Sequence, residues 1–236
     1  MIPWRSALLI LLTSAGLAAP EREAVSFAQF RVDDPFWSPR VRQIQEVTLP
    51  DLLDLAETQG KIDNFRIVAG RKAATYRTYN AADSDVNKLI EAASYTLVLR
   101  RDPALEARLD AIIADVVAAQ QPDGYLNTQF TLPAGAPHMP APEARFVQTF
   151  GFGPAGRWAS RSDNWPKNYA QLYCAGHLFE AAVAYRVATG KTVLFEAALR
   201  LADHLVRQFP VNERLNYADH PEVEIGLMRL VEATGA

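Results

Sequence analysis

The chain has 236 residues, with 24 Lys+Arg against 27 Asp+Glu for a net charge of -3, and hydrophobic residues make up 49% of it. This balance gives no electrostatic case for nucleic acid or an anionic membrane surface, and the apolar content excludes a disordered chain. A single cysteine, Cys174, excludes an intramolecular disulfide and a cysteine-rich metal site within this chain.

The opening stretch MIPWRSALLILLTSAGLAAP has one early Arg5, an apolar run from Ala7 to Leu12, and small residues at 15, 16, 18 and 19. It reads as a secretory signal peptide over residues 1–18, cut near Ala18, because the run is shorter than the roughly 18 apolar residues a span requires. Residues 19–236 are then expected to be secreted or periplasmic, with no membrane attachment after cleavage.

FAQFRVDDPFWSPR (27–40) alternates weakly and predicts a short strand or extended arm, with Phe36 and Trp37 as packing anchors. Val41 to Gln59 reads as helix, interrupted or restarted at Pro50, and residues 61–85 as mostly loop. A helix follows from Asp85 to Arg100, apolar at Val86, Leu89, Ile90, Ala93, Leu97 and Val98. Asp83 and Asp85 read as its N-caps; their other reading is an acid/base pair with separated pKa values.

Asp102-Pro103 starts a second helix running to Gln121, with Pro103 at the first helical position. Leu105, Leu109, Ile112, Ile113, Val116 and Val117 form one stripe, and Glu106, Arg108, Asp110 and Asp115 the outer face. Gln121 to Lys167 is a long, aromatic-rich loop of the kind that forms sites. Within it Asp123-Gly124-Tyr125 reads as a turn, with Tyr125 lining a cleft. His138 and His204 read as solvent-facing.

Asn168 to Gly190 is apolar almost all round, which predicts a buried central helix closed by Gly190. In it Cys174 reads as a packed core thiol and His177 as bonding within the core. The next helix, Thr192 to Phe209, is amphipathic, with Glu196/Arg200 and Asp203/Arg207 as i,i+4 pairs. A last helix covers Pro221 to Thr234, where Glu222 and Glu224 suit the N-terminal end of the helix dipole.

An internal repeat runs through this pattern. Thr189-Gly190 and Thr234-Gly235 close apolar helices 45 residues apart, and Glu91-Ala-Ala and Glu180-Ala-Ala lie 89 apart, close to two such periods. Helix pairs repeating at this length mean a solenoid or toroid. The expectation is an all-α fold, a partial (α/α)6 toroid built of helical hairpins with about six helices, where a closed ring needs twice as many. The chain therefore reads as truncated, with an exposed apolar edge for self-association.

Six stretches in order carry a family resemblance: DPFWSPR (34–40), DNFRIVAG (63–70), DSDVNKLIEAASY (83–95), AQQPDGYLNT (119–128), QLYCAGHLFEAAVAYRVATGK (171–191) and HPEVEIGLMRLVEATG (220–235). Together they resemble the N-terminal part of the glycoside hydrolase family 127 catalytic domain, the non-reducing-end β-L-arabinofuranosidases. The resemblance implies an exo-glycosidase acting on terminal arabinofuranose of plant-type glycans. It also implies a zinc-bound cysteine nucleophile, a glutamate acid/base and further metal ligands in the second half of the barrel, with no counterpart in this chain. Hence no catalytic residue and no metal ligand is assigned here, and zinc is expected only in the complete domain.

By the same resemblance His220 faces sugar; Asp85, Tyr125 and Gln171 are further substrate-binding candidates read from the residues themselves. Ala170-Gln171 stands where the family has His-Glu, and Asn87 and Leu89 stand where it has tyrosine and tryptophan. Two rival readings stay open. One is a carbohydrate-binding remnant without catalysis. The other is a different toroid enzyme, a glucuronyl hydrolase or sugar epimerase, using Asp85 and His220.

Overall fold

The computed structural model describes residues 25–77, 81–138, 171–208 and 220–235. Residues 139–167 of the aromatic loop, the linker at 209–219 and residues 1–24, with the signal-peptide stretch, lie outside the described residues. Among the described residues the chain is all-helical, its sole β feature being an isolated bridge between Tyr76 and His138.

The arm at 27–40 is not a strand. Phe27–Gln29 makes a single 3-10 turn, and a helix, α1, begins at Trp37–Gln43. Asp34 explains the change: its Oδ1 accepts from the Phe36 and Trp37 amides at 2.9 and 2.7 Å, closing the turn that starts α1. Phe36 and Trp37 are consequently exposed rather than packed as anchors.

A π turn at Ile44–Thr48 joins α1 to α2, Leu49–Thr58. Pro50 has no amide to donate, and the helix widens just before it, with the Leu49 amide reaching back five residues to Ile44. The expected break at Pro50 is therefore a bulge within continuous helix. Gly60, at φ 74, turns the chain into α3, Lys61–Val68, in a stretch whose sequence predicts loop. This helix has only about two turns, too few for periodicity to show. It is held by Ile62, Phe65 and Ile67 in the core and by Asn64, which bonds both the amide and carbonyl of Arg77.

α4 spans Ala82–Leu99 and α5 spans Pro103–Ala118, started as expected by Asp102, which accepts from the Ala104 and Leu105 amides. Asp115 departs from its expected outer position. It is buried between Arg66 Nε at 2.7 Å and Arg71 Nη1 at 2.8 Å, tying α5 to α3. The short α6, Thr128–Thr131, follows the 121–125 turn.

α7, Gln171–Thr189, is buried on nearly every side, and Gly190 at φ 77 ends it. α8, Val193–Gln208, packs Leu194, Phe195, Ala198, Leu201 and Leu205 inward. Its Arg200 and Arg207 do not serve the expected helix-surface pairs. They reach across to Gln120 Oε1 and to the Asp123 carbonyl, both at 2.9 Å. His204 is buried, not solvent-facing, with Nδ1 2.9 Å from the Asp123 carbonyl. His138 is exposed, as expected.

α9, Glu222–Thr234, closes the described chain. The three apolar helices α4, α7 and α9 lie side by side and parallel. Asn87 bonds the Cys174 carbonyl and Glu91 faces Glu180, while Glu222 meets His177 at one end and Arg186 bonds the Ala233 carbonyl at the other. α5 and α8 run back over them as an outer layer, linked by Gln120 to the Ala197 carbonyl at 2.8 Å. This is a partial α/α toroid.

Two glycines set the spacing of the inner layer. A Cβ on Gly176 would meet the Glu222 carbonyl oxygen at 2.4 Å, and one on Gly226 would meet the Gly176 oxygen at 2.5 Å. The backbones of α7 and α9 touch directly, which only glycine permits at these points.

Candidate functional site

Because the inner helices are parallel, their N-terminal ends gather on one side of the layer. α4 brings Asp83, Asp85 and Lys88, α7 brings Gln171, Tyr173 and His177, and the lead into α9 brings His220 and Glu222. Lys88 Nζ donates to the Tyr173 hydroxyl at 2.5 Å and lies 4.5 Å from its ring centre. The Tyr173 ring meets His177 edge-on at 4.5 Å and His220 at 4.7 Å. His220 is exposed, and its Nδ1 accepts the Glu222 amide at 3.1 Å.

One turn deeper sits a polar cluster. His177 Nδ1 is 3.1 Å from Glu222 Oε1 and 3.9 Å from Glu180 Oε2. Both ring nitrogens of His177 and Glu222 Oε1 are buried without a directed hydrogen bond. Burial, reinforced by the charge of Lys88 and by His220, pushes the His177 pKa down to about 4. Burial and the neighbouring Glu180 carboxyl push Glu222 up to about 7. Glu91, raised by burial and bonded by the Tyr95 hydroxyl, completes the group.

The substrate-binding candidates divide here. His220 stands at the mouth with Tyr173 and Lys88. Asp85 lies on the same helix end, held by Lys61 Nζ at 2.6 Å. Neither Asp85 nor Asp83 caps its own helix, which starts from Ala81 in a left-handed conformation with no side-chain cap. Asp83 instead accepts from the Thr128 amide and hydroxyl at 2.7 and 2.5 Å, pinning α6 to α4. Burial raises its pKa to about 6. Tyr125 and Gln171 do not line an open cleft: both are buried, and the Tyr125 hydroxyl bonds Gln171 Oε1 at 2.5 Å.

Sequence reasoning gave Glu222 no role beyond the helix dipole and did not single out Tyr173 or Lys88. The signal for the cluster was nonetheless present. Glu91 and Glu180, matching members of the repeat, face each other because parallel helices in register bring equivalent positions together.

The zinc implied by the resemblance is held by cysteine thiolates. Cys174 is fully buried, and burial with the charge of Asp83 pushes its thiol well above the usual range, so this chain does not fit that group. A different donor set does exist. Glu91, His177 and Glu180 offer ligand atoms that all lie within 4.8 Å of one another, and such a group could hold a divalent ion.

A family model described as "Beta-L-arabinofuranosidase, GH127 catalytic domain" matches residues 29–236. The chain is 31% identical over 226 residues to a non-reducing end β-L-arabinofuranosidase of Bifidobacterium longum subsp. longum, covering 86% of this chain and 31% of that protein. Its structure resembles a GH127 β-L-arabinofuranosidase from Geobacillus stearothermophilus T6, with a TM-score of 0.70 and 33% identity over 87% of this chain and 30% of that one. A further GH127 β-arabinofuranosidase gives a TM-score of 0.69 with 31% identity, over 89% of this chain and 31% of that one. The chain thus spans about a third of the length of these relatives. The family-model match over residues 29–236 shows that the chain belongs to the GH127 β-L-arabinofuranosidase catalytic-domain family.

Proposed function

We propose that this chain forms part of the sugar-binding wall of an exported glycoside hydrolase of the β-L-arabinofuranosidase type. Its substrate would be a terminal arabinofuranose on plant-type glycans. The observation that carries the reading is the convergence of Asp85, Lys88, Tyr173 and His220 at one end of three parallel helices, in a chain of this family. Hydroxyl-rich, neutral ligands suit such a mixed set of donors, acceptors and one aromatic face. We place the bond-breaking cysteine and glutamate of such an enzyme outside these 236 residues.

Binding and turnover test it together. Calorimetry with methyl β-L-arabinofuranoside should give heat, and His220→Ala should weaken binding about tenfold, the size of one lost hydrogen bond. Aryl β-L-arabinofuranoside should not be turned over by this chain alone. Robust zinc-independent turnover would overturn the placement of the chemistry, and absence of binding to any arabinofuranoside would overturn the sugar site. Export belongs to the same proposal, and N-terminal sequencing of the mature protein should begin close to Ala19. We further propose that the chain self-associates through the apolar flank of α9.

A further inference from the structure

His220 has its ring fixed from two directions. Its Nδ1 accepts the main-chain N–H of Glu222 at 3.1 Å. A backbone amide can only donate, so Nδ1 is the bare nitrogen and the neutral ring carries its hydrogen on Nε2. The ring edge meets Tyr173 at 4.7 Å and an interplanar angle of 67°. Tyr173 is itself braced, by His177 at 4.5 Å and 87° and by Lys88 Nζ on its hydroxyl at 2.5 Å. His177 is wedged in turn against Glu222, whose amide holds His220. The set is closed, with one member on α4, two on α7 and two at the start of α9.

The directions of these bonds decide what the mouth offers. Lys88 can only donate, so the Tyr173 oxygen accepts and its own O–H is left to donate. His220 likewise offers Nε2–H. Two neighbouring donors on a braced aromatic platform suit the lone pairs of sugar oxygens.

We propose that Tyr173 is a positioning residue: its ring holds the His220 imidazole where Nδ1 accepts the Glu222 amide, and that bond keeps His220 in its Nε2–H form, so that His220 presents a fixed hydrogen-bond donor to a hydroxyl or ring oxygen of a neutral sugar. This rests on the sugar-binding reading above. The lock is a property of the ligand-free protein, whereas its use requires the sugar.

Histidine-selective 15N labelling and two-bond 15N–1H correlation at a pH where the ring is neutral read the lock directly. His220 should show the Nε2–H pattern. Tyr173→Phe, which keeps the ring, should preserve it. Tyr173→Leu should give averaging of the two tautomers and about tenfold weaker binding of methyl β-L-arabinofuranoside. An Nδ1–H pattern in the unsubstituted protein overturns the proposal without any variant. So does an unchanged pattern in Tyr173→Leu protein whose circular dichroism shows it folded. A fixed tautomer lost in folded Tyr173→Leu supports the lock even if added sugar leaves the Nε2 resonance unmoved; that last result would sink the sugar-binding reading alone.

Discussion

His177 Nδ1 stands 3.1 Å from Glu222 Oε1, so two buried polar groups face each other where the first turn of α9 meets the second turn of α7. Their pKa values move in opposite directions, down to about 4 for His177 and up to about 7 for Glu222, with burial the leading cause of both. A neutral imidazole beside a carboxyl that keeps its proton is the arrangement that leaves least charge stranded between the helices.

The consequence for stability follows from linkage. Glu222 binds its proton more tightly folded than unfolded, so its contribution is complete below its ordinary range and is lost as pH rises through about 7. His177 acts oppositely, contributing above its ordinary 6.5 and losing that contribution as pH falls through about 4. Glu222→Gln keeps the shape and cannot ionise. It should raise the melting temperature relative to the unsubstituted protein at pH 8, with the gain shrinking at pH 5. Equal differences at both pH values would mean that Glu222 does not titrate in this range.

The glycine contact between α7 and α9 gives a packing prediction. Gly→Ala inside a helix gains about 1 kcal/mol from propensity. Here the added methyl meets a backbone oxygen at 2.4 Å for Gly176 and 2.5 Å for Gly226, and a main chain yields less readily than a side-chain tip. Each substitution should destabilise by about 1–3 kcal/mol in urea titrations, and the pair together by less than the sum, since the first already parts the helices. A neutral or stabilising Gly176→Ala would show that the helices are not in contact.

Asp83 receives both the amide and the hydroxyl of Thr128, and the Tyr76 hydroxyl also meets Thr128 Oγ1 at 2.8 Å. Asp83→Ala leaves a buried amide unpaired and should cost about 1–3 kcal/mol. Asp83→Asn retains one acceptor and should cost less. Hydrogen exchange at the Thr128 amide would resolve this, with unchanged protection in Asp83→Ala arguing against the clamp.

Self-association is predicted from one flank of α9. Ile225, Met228 and Val231 recur every three residues and are all exposed. By the 45-residue repeat they match Glu180, Val183 and Arg186, the flank that α7 turns towards α9 through Glu180 and Arg186. The stripe thus occupies the position that, on α7, is covered by the next inner helix. Met228→Glu should shift the protein towards monomer on light scattering, and a monomer already present without the substitution would refute this.

Local chemistry was enough to reveal the all-α class from apolar spacing, the buried central helix from its all-round apolar surface, and the start of α5 from Asp102-Pro103. Helix caps and turns at the ends of short segments were less legible. α3 hid because its turns are too few to show a period, and it exists because Ile62, Phe65 and Ile67 find a core contributed by distant chain. Asp83 looked like a cap because aspartate before an apolar run usually is one, yet its partner is 45 positions away at Thr128.

The same division holds at the site. Sequence alone placed His220 at the start of the last helix and marked Glu91 and Glu180 as equivalent positions of a repeat. It could not say that Tyr125 and Gln171 would bond each other in the interior, or that Asp115 would turn inward to two arginines. Nor could it place Glu222 against His177. Those outcomes depend on how segments distant in sequence pack together; for Glu222 and His177 the register is set where Gly176 and Gly226 let two backbones touch. Periodicity records which face of a helix is buried; only the packed structure decides which side chains meet across it.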